Sequence, residues 1–186
     1  MVVTSRAVVI GAGIGGLAAA VGLQQAGWEV TVCERAAALE AVGAGLAVAP
    51  NGLRALDVLG AGDEIRSLAI AQEPGIRRRD GRWLARSSGR MVAARFGDPV
   101  VLLARAALME ALLSRLAGQA MRLSTPVTAV EPGGESRPAL VTTTAGEATP
   151  SGKPRTTGET WLRWDGWRVQ CSAWLPKSCI CMSERG

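Results

Sequence analysis

Three glycines, Gly11, Gly13 and Gly16, stand between a β-branched run and an apolar helix pattern, and they constrain this chain more than any other feature. The stretch AVVIGAGIGGLAAAVGLQQAGWEVTVCER, residues 7–35, reads as strand, turn, helix and strand. Val8, Val9 and Ile10 are residues expected of a buried parallel strand. The spacing G-x-G-x-x-G then gives each glycine a task. Gly11 permits a tight strand-to-helix turn, Gly13 lets a pyrophosphate approach the backbone, and Gly16 lets the helix pack closely on the strand. The amides that open the helix, together with its dipole, favour an anion at that end.

Such a triplet alone is a weak signal in a chain with 23 glycines, but the residues after it extend the pattern. Leu17, Ala20, Val21 and Leu23 fall largely on one helix flank. Gly27 closes the helix. Residues 30–32 form a second short strand, and Glu34 ends it, 18 residues beyond Gly16. An acid at that place accepts hydrogen bonds from ribose hydroxyls and disfavours a 2′-phosphate. NADP is therefore disfavoured in this cradle, and NAD and FAD remain.

Composition removes several other classes. At 186 residues the chain is long enough for one good core, or for a domain plus a fragment of another. No apolar run reaches the ~18 residues of a membrane span, and no signal peptide is expected, because glycines break the first apolar stretch. The net charge of +5 comes mostly from arginine. Its densest stretch, residues 76–95, carries Trp83 as its one aromatic, so it reads as a solvated hairpin and not as a nucleic-acid surface. Four cysteines and no histidine make neither a disulfide framework nor a zinc site. Cys33 is expected in the core, and a reducing cytoplasm is the expected compartment.

Residues 11–35 resemble the start of the flavoprotein aromatic hydroxylases, the single-component FAD-dependent monooxygenases, in which the motif opens the chain and a Glu-Arg pair closes it, as Glu34-Arg35 does here. The stretch VGAGLAVAPNGLRALDVLG, residues 42–60, is similar to that family's glycine-rich loop past the flavin and the helix after it. Gly43 and Gly45 would allow backbone approach to a planar ligand, Pro50 and Asn51 mark a helix start, and Leu53, Leu56 and Leu59 recur at helical spacing up to Gly60. The stretch VVLLARAALMEALLSRLAG, residues 100–118, reads as a buried strand and a helix with Leu108, Leu112, Leu113 and Leu116 inward. Arg105 lies at their junction, where a cation is locally unfavourable unless an anion is near. The resemblance implies that Arg105 contacts the phosphate and ribityl region of the flavin. Residues 121–132 read as a strand whose Val127 matches the family position touching adenine through its backbone. Asp80-Gly81 is a hairpin turn signal, and Ser87-Ser88-Gly89 a second, as at the start of the family's antiparallel substrate sheet.

From about Thr149 the pattern changes. Pro, Gly, Thr and Ser punctuate the chain without a strand or helix period. Trp161, Trp164, Trp167 and Trp174 crowd here with Cys171, Cys179 and Cys181. The family has a strand ending in a motif like G-A-D-G-x-x-S-x-V-R. Asp165-Gly166 stands near that place, with Arg163 and Trp164 for the preceding Gly-Ala and Val169 for the Ser. The mix of Arg, Pro, Gly, Trp and Cys reads as the product of a truncated or frameshifted coding sequence, and family members continue much further.

The expected fold is α/β: a Rossmann-like FAD-binding fold, a parallel sheet with helices, carrying part of an antiparallel substrate sheet and incomplete relative to the family. Residues 1–148 are the expected FAD-binding domain, residues 70–98 a partial substrate-sheet insertion, and residues 149–186 an irregular tail. The resemblance implies FAD held by Gly11, Gly13, Ile14, Gly15, Gly16, Glu34, Arg35, Gly45, Arg105 and Val127, with NAD(P)H as transient reductant. In the intact family, O₂ and the reduced flavin form a hydroperoxide that transfers oxygen to an aromatic or polycyclic substrate. Neither nucleic acid nor membrane is an expected partner, no catalytic side chain or metal ligand stands out, and the oligomeric state is open. Two other readings stay open: a non-catalytic dinucleotide-binding module or remnant, and an NAD-linked dehydrogenase, for which no Tyr, His and Lys set is visible.

Overall fold

The computed structural model describes residues 6–39, 45–71, 75–86, 89–131, 139–146, 148–150, 161–164, 167–170 and 179–183. The chain opens with β1 (Arg6–Ile10), α1 (Ile14–Gln25) and β2 (Glu29–Cys33). Strands β1 and β2 run parallel with Ile10 opposite Cys33, the arrangement that a helical crossover produces. Helix α1 turns Gly16, Leu17, Ala20, Val21, Gly22 and Leu23 inward. Ala26 caps it, and Gly27 follows at φ +84°, a left-handed conformation that costs glycine little. The expected strand–helix–strand unit is therefore present.

The chain then enters a separate compact unit, Glu40–Arg115. It contains β3 (Gly45–Val48), α2 (Pro50–Val58), α3 (Gly62–Leu68), β4 (Ile70–Ala71), β5 (Gly75–Arg77), β6 (Trp83–Arg86), α4 (Gly89–Phe96), β7 (Val101–Ala104) and α5 (Arg105–Leu113). Strand β7 is the centre of an antiparallel sheet in the order β3-β7-β4. Pro50 opens α2, where its missing N–H costs nothing. Leu53, Leu56 and Ile65 are buried, and each such side chain contributes roughly 1.5–3 kcal/mol when fully removed from water.

Three expectations for this unit are corrected. Leu113 is exposed and Leu116 only half-buried, because α5 ends at Leu113 and its inward stripe is Leu108, Ala111 and Leu112. Gly45 lies in a strand and not in a loop, since residues 45–48 pair along the whole of β7. Gly89, expected in a second hairpin turn, begins helix α4, while Ser87 and Ser88 lie outside the described residues. The first hairpin itself forms around Asp80-Gly81, with β5 and β6 antiparallel. The Trp83 ring covers Gly75 so closely that a Cβ there would overlap it, and the Arg77 guanidinium lies 4.0 Å from the ring centre.

The chain returns to the first unit, which comprises Met1–Leu39 and Leu116–Gly186. There it forms β8 (Met121–Arg122), β9 (Val127–Glu131), β10 (Leu140–Thr143), β11 (Ala148–Pro150), β12 (Trp161–Trp164), β13 (Trp167–Gln170) and β14 (Cys179–Ser183). The main sheet has the order β14-β1-β2-β8, with β8 parallel to β2 and β14 antiparallel to β1. A second sheet has the order β11-β10-β9. Of residues 121–132, expected as one strand, Met121–Arg122 and Val127–Glu131 fall in different sheets, and residue 132 lies outside the described residues. Ser124 stands at φ +49° and Pro126 has no N–H to donate, so the ladder breaks between β8 and β9. The segment expected to be irregular supplies the paired hairpin β12–β13 and the edge strand β14. Among the described residues, no helix is long and apolar enough to cross a membrane.

Candidate functional site

The site begins where β1 ends. The Gly11 amide donates to the Cys33 carbonyl at 2.8 Å, which carries the β1–β2 ladder one residue past the strand. Gly11 itself turns the chain at φ +93°. Gly13 then forms the N-cap of α1 in an extended conformation, and no side chain caps this helix end. The first helical hydrogen bond runs from the Leu17 amide to the Gly13 carbonyl at 2.9 Å. The amides of Ile14, Gly15 and Gly16 therefore precede the first intrahelical bond and are the donors a helix leaves for an anion.

Close packing explains the third glycine. A Cβ at Gly16 would overlap the Gly11 carbonyl oxygen, whereas a Cβ at Gly13 or Gly15 would meet nothing within 4 Å. Gly16 is thus demanded by packing and Gly11 by its φ, while Gly13 and Gly15 leave room in front of the helix end. That room, with donors beside it, fits a pyrophosphate.

Glu34 follows β2 directly, half-buried. One carboxylate oxygen, Oε2, accepts from the Ala12 amide at 2.8 Å, and Oε1 accepts from the Ala36 amide at 2.9 Å. Burial is the largest single influence on this carboxyl and opposes its ionisation. The Ala12 and Ala36 amides and the adjacent Arg35 guanidinium together outweigh it, so the group is held below the usual carboxylate range. Arg35 is exposed beside it.

A backbone strap holds this corner from the other side. The Glu34 amide donates to the Arg122 carbonyl at 2.9 Å, the Thr125 amide to the Glu34 carbonyl at 2.8 Å, and the Ser124 amide to the Ala36 carbonyl at 2.9 Å. Val127 starts β9 half-buried against the cluster of Val8, Cys33 and Val141, with Ile10 beside it. Its side chain belongs to the core, which leaves its backbone as the part able to meet a ligand. The Gln24 carboxamide accepts from the Ala117 amide at 2.9 Å and donates to the Ala117 carbonyl at 3.2 Å, tying the end of α1 to the returning chain.

The structure brings Gly11, Gly13, Ile14, Gly15, Gly16, Glu34, Arg35 and Val127 into one unit. Gly45 and Arg105 belong to the other, where they are neighbours: Gly45 pairs with Ala104, the residue before Arg105. Arg105 opens α5, whose first turn has no acid and no side-chain cap. Gly43, Asp165 and Gly166 lie outside the described residues. The Ala12–Glu34 bond, the Ser124 strap and the Gln24 clasp are not evident in the sequence. Ser124-Thr125-Pro126 carries a turn signal that could have revealed the strap.

A parallel β1–β2 pair, a glycine turn onto an open helix end and an acid after the second strand define a Rossmann-type dinucleotide-binding unit. Residues 4–148 match the FAD binding domain family, and the chain belongs to that family. Its relatives include a 3-amino-4-hydroxybenzoate 2-monooxygenase of Streptomyces platensis, 43% identical over 129 residues, covering 68% of this chain and 33% of that protein. A 3-hydroxybenzoate 6-hydroxylase of Polaromonas naphthalenivorans is 37% identical over 100 residues, covering 52% of this chain and 25% of that protein. Among solved structures, Klebsiella pneumoniae HpxO complexed with FAD and uric acid superposes with a TM-score of 0.69 at 29% identity, covering 80% of this chain and 37% of that one. The chain thus spans about a quarter to a third of the length of these curated relatives.

Proposed function

We infer that this chain binds FAD and serves as the flavin-binding part of an aromatic-ring monooxygenase that takes electrons from NAD(P)H. On this reading residues 1–148 are the FAD-binding domain, residues 70–98 part of a substrate-side sheet, and residues 149–186 lie outside the FAD-binding domain. The amides of Ile14, Gly15 and Gly16 receive the pyrophosphate, with Gly11 and Gly13 shaping its approach. Glu34 accepts the hydroxyls of the adenosine ribose, Arg35 supports its charge, and the Val127 backbone meets adenine. Arg105 neutralises an anionic part of the cofactor, which accounts for a cation at an uncapped helix start. Gly45 offers backbone without a side chain in its way. Bound flavin supplies the electron and oxygen chemistry, and the chain supplies binding, orientation and electrostatics. Small aromatic acids and related heterocycles are the substrate class, since the relatives are named for hydroxybenzoates and one structural neighbour for uric acid.

The open end of α1 beside a carboxylate held ionised carries this reading. The experiment is to purify the chain and record its visible spectrum, then titrate it with FAD. A yellow protein binding one FAD is the expected result. A colourless protein that neither takes up FAD nor is stabilised by ADP overturns the reading, and stabilisation by NAD alone replaces flavin with a nicotinamide cofactor. A second reading, a binding module without turnover, is favoured by the make-up of the cradle, which consists of backbone amides and one carboxylate. NADPH oxidation with O₂ uptake, stimulated by a hydroxybenzoate, supports the enzyme. Flavin binding without either supports the module.

A further inference from the structure

Glu34, proposed above to meet the ribose, already has two backbone partners in this structure. Parallel strands β1 and β2 exchange backbone hydrogen bonds up to the Gly11 amide and the Cys33 carbonyl. The next donor along the turn is the Ala12 amide, and its acceptor is the Glu34 side chain rather than a main-chain carbonyl. The carboxylate thus extends the ladder by one rung beyond the strand. Ala12 is buried, so its N–H has little access to water when that bond is broken, and an unmet buried amide is costly. The other oxygen anchors the Ala36 amide, and the Arg122–Thr125 strap fixes the Glu34 backbone.

We propose that Glu34 is a latch on the glycine turn: a positioning residue that holds Ala12, and with it the start of α1, in the nucleotide-ready conformation before any ligand arrives. A carboxylate offers about four lone-pair positions, so two used by amides leave two for ribose hydroxyls. The turn and the sugar are therefore served by one group at once. The amides of the turn also divide their work. Gly11 and Ala12 face β2 and hold the fold, while Ile14 to Gly16 remain for the phosphates. The proposal rests on the cradle being the nucleotide site for its consequence in binding, though not for its structural part.

The test uses the full chain stripped of nucleotide, with amide hydrogen exchange followed by NMR. In Glu34→Ala, exchange at Ala12 rises at least about tenfold, while Val9 and Val32 in the strands keep their protection. Glu34→Gln retains one acceptor oxygen for two amides and gives a smaller rise, and it carries the comparison if Glu34→Ala fails to fold. Unchanged exchange at Ala12, or equal acceleration at Ala12, Val9 and Val32, overturns the latch. Titration with ADP and with 2′,3′-dideoxy-ADP then separates the two roles. The dideoxy nucleotide has no ribose hydroxyls to offer Glu34, so a latch makes Glu34→Ala weaken both ligands, and a loss confined to ADP overturns it. Wild-type protein that binds neither nucleotide removes the cradle as their site, and Ala12 exchange still decides the latch.

Discussion

The glycine turn after β1 and the corner between α2 and α3 both hold a helix start at a fixed angle, and they do so with different materials. At the turn, backbone meets backbone: Gly16 abuts the Gly11 carbonyl, and the Gly11 amide reaches Cys33. At the corner, long side chains do the work. Arg66 forks onto both oxygens of Asp57 and both oxygens of Asp98, while Arg115 reaches Glu64 at 2.7 Å and the Gly60 carbonyl at 2.8 Å. A joint of backbone on backbone is rigid and tolerates no added atom at its contact point, Gly16. A side-chain joint is adjustable, and it depends on charge.

The largest effect is expected where backbone would have to move. Gly16→Ala places a methyl on the Gly11 carbonyl, and the strand end and helix must part. It should cost roughly 3 kcal/mol in urea denaturation and remove ADP binding. Near-normal stability with intact binding would break the contrast. Next comes Arg66→Ala, which leaves Asp57 and Asp98 without their fork. Because the pairs are partly exposed and screened, a loss of about 1–2 kcal/mol is expected. Its signature lies in pH. Hydrogen bonding to Arg66 holds both carboxyls below the usual range. Their contribution is complete above the unfolded carboxyl pKa and is lost as pH falls through the depressed folded values, below about pH 4. Acid unfolding of Arg66→Ala should therefore be shallower than that of the wild type, and identical acid profiles would remove the fork as the cause.

The smallest effect sharpens the comparison most, because it repeats the first substitution at the other joint. A Cβ at Gly62 would overlap the Asp57 carboxylate, the free end of a side chain. It would also crowd the Arg66 guanidinium, so both side chains must shift and lose part of their pairing, a cost offset by the preference of the helix for alanine over glycine, up to about 1 kcal/mol. Gly62→Ala should change stability by no more than ~0.5 kcal/mol. A loss as large as that of Gly16→Ala would show that both joints are equally rigid.

The two joints also differ in how far they were legible. Gly11, Gly13 and Gly16 lie within six residues, so their spacing alone declares the turn, and Glu34 is declared by its place after a β-branched run. Gly27 and Pro50 announced their helix boundaries for the same local reason. Arg66 meets one partner nine residues away and another 32 away, and no spacing rule links such charges before the chain is folded. The bond from Glu34 to the Ala12 amide was hidden because a carboxylate at a strand end looks the same whether or not it reaches back to the turn. Residues 121–132 misled because apolar and β-branched residues flank the break at Ser124, and a positive φ at serine has no reliable sequence mark. The pairing of β14 with β1 was equally hidden, since an edge strand is chosen by the sheet it joins as much as by its own residues.

The strap across Glu34 has a consequence for how the protein is made. Arg122, Ser124 and Thr125 are translated long after Gly16, with the whole Glu40–Arg115 unit between them. A nascent chain that has passed Leu39 already carries its glycines and its acid, yet nothing grips the segment around Glu34 and Ala36 from behind. The corner after β2 is thereby closed late: its backbone bonds wait until residues 122–125 have been made, so it forms with the second pass of the chain and not with the first.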